Sequence, residues 1–409
     1  MGGFFCSKSR DVYLTYCCLL LVFCVCPVLG VSLTIFVALN NKSISKEYIY
    51  FLFLLLAIYM GCINSTKIPE SDQYMFYDAY RLVPHRTFLQ NLMGIYGSFQ
   101  DYQTKEMGFG LFNFVGYYLT AGCYPLFVLL GSILLYMLYY DAIYRYYHYV
   151  KVGNPNVYAL AGAIILTFFT QFFNLTIHLE RQYLATAFVI YALIRTITQN
   201  KVSWVYILIG LSMHTSLGIF LPLFLLRQFK KDLSLKWMII VIGILLIVMS
   251  SLNYILGSIL TGGDSYVMDR LQDMGDEGNE DRMSLSLIIV VALPMILISV
   301  KNILWNYKLF VKDEILLYLT YLFILIFALS NPNNTMQYRF FMMTYSFIPF
   351  IFPMFWRKYS VYTKLYLSVL CFFLVMRFYM TFDDIPFRFA PCSDVLSMNL
   401  FSLFNYNNI

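Results

Sequence analysis

Long apolar runs constrain this chain more than any motif in it. The segments 13–39, 158–173, 237–256 and 315–329 contain no charged residue. A helix needs about twenty apolar residues to cross the hydrocarbon of a bilayer. Lipid offers the backbone no hydrogen-bond partner, so such runs become helices rather than open strands. Hydrophobic residues fill 60% of 409 positions and charged residues only 12%, about half the charge of a soluble domain. The reading is an all-α, polytopic membrane bundle of ten to twelve membrane segments, some broken or re-entrant. It forms one transmembrane domain over 1–409, surrounded by membrane lipids, with no large soluble domain and no nucleic-acid partner.

Lys8 and Arg10 precede the first apolar run, as the basic region of a signal peptide would. That run is too long for a signal and lacks a clean small-x-small cleavage site, so a retained helix is expected. Met1-Gly2-Gly3 lacks Ser or Thr at the sixth position, which argues against myristoylation. Five of the nine cysteines (Cys6, Cys17, Cys18, Cys24 and Cys26) crowd the N-terminus without metal-ligand spacing. They read as small packing or lipid-facing residues.

Lys and Arg collect in alternate loops, at Lys42/Lys46, Arg145/Lys151, Lys201, Arg227/Lys230/Lys231/Lys236, Lys301/Lys308/Lys312 and Arg357/Lys358/Lys364. Basic loops stay cytoplasmic. The acid-bearing loops 65–107 and 261–284, and the tail with Asp383 and Asp384, are then extracytoplasmic, as are both termini. Two segments must be unusual for this to hold. Residues 108–147 are long yet change sides only once, and 204–226 carries His214 between ends of cytoplasmic charge. Each reads as a broken helix or re-entrant hairpin, which a bilayer tolerates where the backbone lines a protein cavity.

This topology puts the ionisable residues of 65–107, including Glu106, on one side with His178, Glu180, Arg181, His214 and Arg339. Charged groups at membrane depth are costly and mark functional cavities. Loop 65–107 also carries Tyr74, Phe76, Tyr77, Tyr80, Phe88, Tyr96, Phe99 and Tyr102, in spacing that suits one or two amphipathic surface helices. Its rings read equally as an interfacial aromatic belt and as walls for sugars.

Several motifs recur in order: Asp72, Asp78 and Tyr80; Glu106-Met107-Gly108-Phe109; Arg181-Gln182-Tyr183-Leu184-Ala185; His214-Thr215-Ser216; and Tyr338-Arg339-Phe340. Over roughly residues 60–345 the chain resembles the EpsG/Wzy group of bacterial polysaccharide polymerases. The resemblance implies a multi-pass enzyme of the bacterial cytoplasmic membrane, working at the outer face on undecaprenyl-diphosphate-linked oligosaccharides. It also implies a flippase and a chain-length regulator as partners. Such an enzyme moves the growing glycan from its lipid diphosphate onto a lipid-linked repeat unit.

That chemistry needs a cationic clamp for the diphosphate, a base for the acceptor hydroxyl, and alignment. Arg181 is the first choice of clamp, because a guanidinium binds phosphate oxygens bidentately; its bland alternatives are snorkelling and a pair with Glu180. Arg339 is the second choice. Glu106, His214 and His178 compete as the base, and a helical backbone would put His178 on one face with Arg181. Asp72, Asp78, Tyr80, Arg81 and Gln182 are the candidate sugar contacts, although Asp72 also suits the cap of a helix beginning near Ser71. No cofactor or metal is expected. Glu70-x-Asp72 is a spacing common by chance, and the acidic run 273–281 lacks the ligand spacing of a calcium loop.

Two other classes fit the same composition. One is a flippase or transporter of lipid-linked oligosaccharides, in which internal repeats are usual; none is evident here. The other is an outer-face transferase adding one sugar from a lipid monophosphate. With exposed native cysteines removed, a cysteine placed at Asp101 or Asn279 is expected to react with an impermeant thiol reagent from outside. One placed at Lys230 or Lys308 is expected to react only after the membrane is opened. Outside labelling at 230 refutes the re-entrant reading around His214.

Overall fold

Helix breaks, more than the helices themselves, decide what this bundle can present. The computed structural model describes residues 4–40, 45–70, 72–92, 106–229, 314–328, 340–355 and 360–406, with scattered positions between 230 and 313. Among the described residues there is no strand. The acidic run 264–281, with Arg270 and Arg282, lies outside them, as do Gln337 and Arg339.

The first helices are α1 (Phe4–Val25), α2 (Pro27–Asn40) and α3 (Lys46–Ser65). Ser45 caps α3 by accepting from the Tyr48 amide at 3.2 Å, and Glu47 lies in its first turn, where the helix dipole favours a carboxylate. The aromatic loop carries α4 (Asp72–Arg81) and α5 (Phe88–Leu92), the short helices expected of it.

After that loop come α6 (Met107–Leu119) and α7 (Tyr124–Val150). Thirteen residues rise only about 20 Å, too short to cross a bilayer core, whereas the twenty-seven of α7 rise about 40 Å. The tight turn between them needs positive φ at Ala121 (50°) and Gly122 (79°), and the Gly122 amide returns to the Tyr117 carbonyl at 2.9 Å. The unusual segment 108–147 is thus a hairpin of one short and one long helix.

Next are α8 (Pro155–Thr167), α9 (Thr170–His178), α10 (Glu180–Gln199), α11 (Trp204–Met213) and α12 (Leu221–Phe229). The chain bends by 63° between α8 and α9. After α11 the helix breaks at His214 and resumes as a 3-10 turn, Thr215–Phe220. Later helices are α13 (Glu314–Ala328), α14 (Val361–Met380), α15 (Cys392–Ser397) and α16 (Leu400–Phe404).

Three helices, α3, α7 and α14, are long and apolar enough to cross a membrane, or four spans if the bent α8–α9 pair counts as one. The ten to twelve segments expected from sequence are therefore not what the described residues display; much of 237–313 lies outside them.

The chain divides into two compact units. One draws on Met1–Tyr191, Trp204–Thr215 and Lys358–Ile409. Its centre is α3 packed on α7 and α7 on α8. The segment after α14 returns to the end of α3: the Ile68 amide donates to the Arg388 carbonyl at 3.0 Å, the Ala390 amide to Thr66 Oγ1 at 3.2 Å, and Arg388 pairs with Glu70. The other unit comprises Ala192–Ser203 and Ser216–Arg357. Within it Tyr321 donates to the Ile219 carbonyl at 2.6 Å, and Arg227 meets Glu314 at 3.1 Å.

Gly122→Val is expected to cost about 1–3 kcal/mol, because a branched side chain is strained in that backbone region. A lower melting midpoint in detergent, with unchanged activity per folded molecule, is the predicted result.

Candidate active site

Three helix ends meet around one carboxylate. Glu106 precedes α6, Arg181 stands in the first turn of α10, and His214 occupies the break after α11. Glu106 Oε2 lies 2.6 Å from Arg181 Nη1. Its other oxygen, Oε1, lies 2.8 Å from His214 Nδ1 and accepts the Thr215 amide at 3.2 Å. One residue thus holds a cation with one oxygen and an imidazole with the other.

Two glycines permit the approach. A Cβ at Gly108 would fall 2.2 Å from Ser212 Oγ and 2.8 Å from the Ser212 carbonyl carbon. A Cβ at Gly110 would fall 2.3 Å from the Asn91 carbonyl oxygen. Backbone cannot yield at such distances, so glycine at 108 lets α6 press against the end of α11, and glycine at 110 lets it press against α5. The motif Glu106-Met107-Gly108 is in this sense one device: an acid, and the gap that delivers it to His214.

Arg181 also has an aromatic floor, with Cζ 5.5 Å from the centroid of the Phe76 ring. Phe76 packs edge-on to Phe109 at 5.1 Å, and with Ala79 these form a small apolar core against which Phe112 rests. The Arg181 side chain keeps 24% of its surface exposed, against 10% for Glu106 and 8% for His214. The arginine is thus the member that faces outward.

Burial alone would raise the Glu106 carboxyl. The hydrogen bond from His214, the charges of Arg181 and His214, and the Thr215 amide outweigh it and hold the group below the ordinary carboxylate range. Glu106 is therefore a fixed anion, poorly suited to collect protons near neutral pH.

On sequence alone Glu106 and His214 are rival bases; the structure joins them. Arg181 pairs with Glu106, a partner that residue spacing did not suggest. His178 ends α9, and Leu179 (φ −110°, ψ 45°) breaks the helix before α10. His178 and Arg181 consequently belong to different helices, not to the one continuous helix that would put them a turn apart.

The sugar-contact candidates are scattered. Asp72 opens α4, Asp78 is half-buried on it, and Arg81 is exposed with its guanidinium 5.5 Å from the Tyr77 ring. Tyr80 is buried among Phe127, Tyr117 and Tyr124, with its hydroxyl 2.5 Å from Thr120 Oγ1. Thr120 follows the far end of α6, about 20 Å from Glu106. Gln182 is buried, and its carbonyl accepts from Thr186 at 2.7 Å. Among the described residues no group of three or more His, Cys, Asp or Glu is arranged to hold a metal ion.

The contact of Phe76 with Arg181, and the gathering of Asn64 and Gln73 near Glu180, were not foreseen from sequence. The one signal for the latter is the adjacency of Glu180 to Arg181 at a helix start.

A model of the EpsG family matches residues 73–393, more than three quarters of the chain and inclusive of Glu106, Arg181 and His214. The chain belongs to the EpsG family. Membership gives it a role in polysaccharide biosynthesis, in keeping with its apolar multi-pass character. No curated protein and no solved structure gives a match.

Glu106→Gln removes the anion from a buried pair and leaves Arg181 uncompensated, a change worth about 3–5 kcal/mol. A matching loss of thermal stability is expected. Because the Glu106 pKa is held low, its contribution is present above the ordinary carboxylate range and is lost as pH falls through the lowered value. In Glu106→Gln that acid-side loss should be absent, and an unchanged acid limb contradicts the arrangement.

Proposed function

We propose that this EpsG-family protein is a polysaccharide polymerase. It transfers a glycan from an undecaprenyl-diphosphate carrier onto a lipid-linked repeat unit at the outer face of the bacterial cytoplasmic membrane. The observation that carries the reading is the Glu106 carboxylate engaging Arg181 and His214 together.

The proposed roles are these. Glu106 at Nδ1 selects the His214 tautomer whose Nε2 lone pair accepts a proton, as carboxylates do in other acid–base histidine pairs. Arg181 spends one guanidinium nitrogen on Glu106. The rest of the fork remains to meet two phosphate oxygens.

In the reaction the acceptor hydroxyl oxygen bonds to the anomeric carbon of the donor glycan. The bond from that carbon to the diphosphate breaks, and its electron pair leaves with the lipid diphosphate. The hydroxyl proton passes to His214 Nε2. Arg181 stabilises the charge growing on the diphosphate where water is scarce and such stabilisation is large. Glu106 offsets the positive charge gained by His214, so one anion serves both halves of the step.

Arginine and histidine supply what the step requires, so activity of the purified protein is expected to survive chelation. Loss on chelation, restored by a divalent ion, would return Glu70 and Asp72 as ligand candidates. The placement of charge at one cluster favours chemistry over transport, and a full repeat unit trapped at the inner face on deletion would instead indicate a flippase. A carrier-linked unit short of one sugar would indicate the single-sugar transferase.

Arg181→Ala is predicted to leave single repeat units on lipid, a loss of about a hundredfold or more in rate. Arg181→Lys keeps the charge but not the fork and should shorten the polymer. His214→Ala should abolish the ionisation that requires the unprotonated base. Normal chain length in Arg181→Ala, at wild-type expression, removes Arg181 from the mechanism and turns attention to Arg339.

A further inference from the structure

Contacts between α8 and α14 step along both helices in the same direction, so the two run parallel. Their far ends are fastened together. Phe168, at the end of α8, packs edge-on to Phe378 at 5.5 Å, and the hydroxyls of Thr170 and Thr381 lie 3.5 Å apart. Halfway along, Cys371 Sγ stands 3.9 Å from the Ala161 carbonyl oxygen. Over their earlier turns the helices flank a cavity of about 470 Å³, within the ~300–1,000 Å³ usual for small-ligand sites. Its walls include Ile35 of α2, Val157 and Ala161 of α8, and Leu367 and Phe372 of α14.

The cavity is open at the side. Phe372 is 68% exposed, and Lys364 and Ser368, which also line it, are exposed. α14 is apolar enough to span a membrane, yet only 22% of that span is buried, so the opening faces hydrocarbon. Water is a poor occupant of such a space, because it needs two to four polar partners. An alkyl chain is a good one, since it supplies the contacts that an unfilled apolar wall forfeits.

One end has a different character. Lys364 brings a cation to the mouth near the helix starts, Ser368 adds a hydroxyl one turn deeper, and no acidic residue is among the described lining residues. Asn154 and Ser360 cap the two helices on this side, so both dipoles present their positive ends here. A lysine so placed lays its aliphatic stem on the apolar wall while its ammonium reaches the interface.

A cation above an apolar wall matches a phosphate above an alkyl chain. We propose that the cavity between α8 and α14 binds one anionic glycerophospholipid, with an acyl chain in the apolar part and its phosphate at Lys364. Basic pockets between membrane helices recognise such headgroups, and the basic loops assign this side to the cytoplasmic leaflet. The site is separate from the catalytic cluster. Lys364 and Val157 line the cavity beside the start of α8, whereas Arg181 follows the end of α9, beyond the 63° bend. The lipid braces α14, whose continuation carries Arg388 and Ala390 to the end of α3.

The test uses full-length protein in non-ionic detergent, stripped of lipid and then given phosphatidylglycerol or phosphatidylcholine of identical chains. Native mass spectrometry should find one phosphatidylglycerol retained per chain, with a raised melting midpoint. Phosphatidylcholine should bind at least about fivefold more weakly, and Lys364→Ala should lose about fivefold in phosphatidylglycerol affinity. Lys364→Arg should restore most of that loss. Lys201→Ala, which removes an exposed cation from the turn before α11, should bind as wild type does. Val157→Trp fills the cavity and should abolish retention of both lipids.

Equal retention of the two headgroups overturns the proposal and leaves only ordinary surrounding lipid. Wild-type affinity in Lys364→Ala overturns it as well, and so does a lipid still held by Val157→Trp. Displacement of phosphatidylglycerol by equimolar undecaprenyl phosphate would assign the cavity to the carrier lipid instead. The headgroup comparison in wild type needs no variant, so it decides the matter even if a substituted chain does not fold. None of these readouts depends on glycan transfer.

Discussion

A single carboxylate holds the proposed site together. Glu106 reaches Arg181 with one oxygen and His214 with the other, and these three residues are far apart in sequence. Without it α6, α10 and α11 would have no polar reason to bring their ends together in apolar surroundings. A buried ion pair gains little net stability over a well-packed apolar replacement, because desolvation consumes most of the Coulomb attraction. Its presence is better explained by what it arranges: a guanidinium with outward surface beside a buried histidine.

Helix ends make this possible. A continuous helix satisfies its own backbone and offers only side chains, whereas an interrupted one leaves amides and carbonyls to be used. The break at His214 gives Glu106 the Thr215 amide, and the break at Leu179 turns Glu180 and Arg181 into the first turn of α10. From that turn Arg181 meets Glu106, and Glu180 lines a small cavity with Asn64 and Gln73. Two neighbouring residues thereby serve two polar clusters, one around Glu106 and the other around Asn64 and Gln73. Gly108, Gly110 and Gly131 are the spacers, each where a methyl group would meet backbone or the Glu180 carboxylate.

The membrane class and the polar interruptions at Glu180–Arg181 and His214 were legible because charge within apolar sequence is rare enough to be informative. That the aromatic loop would carry short helices was legible from its spacing. Pairing was not. Nothing in spacing shows that Glu106 reaches across 108 positions to His214, because that contact depends on glycine clearances and on where α6 starts. His178 and Arg181 fall in separate helices for a local reason: Leu179 interrupts a helix that the residue pattern would continue. Buried amides such as Gln73 and Asn64 escaped notice because Asn and Gln have no distinctive pattern; only packing shows that their carbonyls face a cavity.

The central claim is that Glu106, Arg181 and His214 act as one unit. A double-mutant cycle on transfer rate, with Glu106→Gln and Arg181→Ala singly and together, tests it most directly, provided each variant is normalised to folded protein. Groups in one network couple by about 0.5–3 kcal/mol, whereas independent sites add within a few tenths. The account predicts strong non-additivity, the double variant transferring no more slowly than the worse single one. Additive losses would show that the carboxylate and the arginine act separately, and would contradict it.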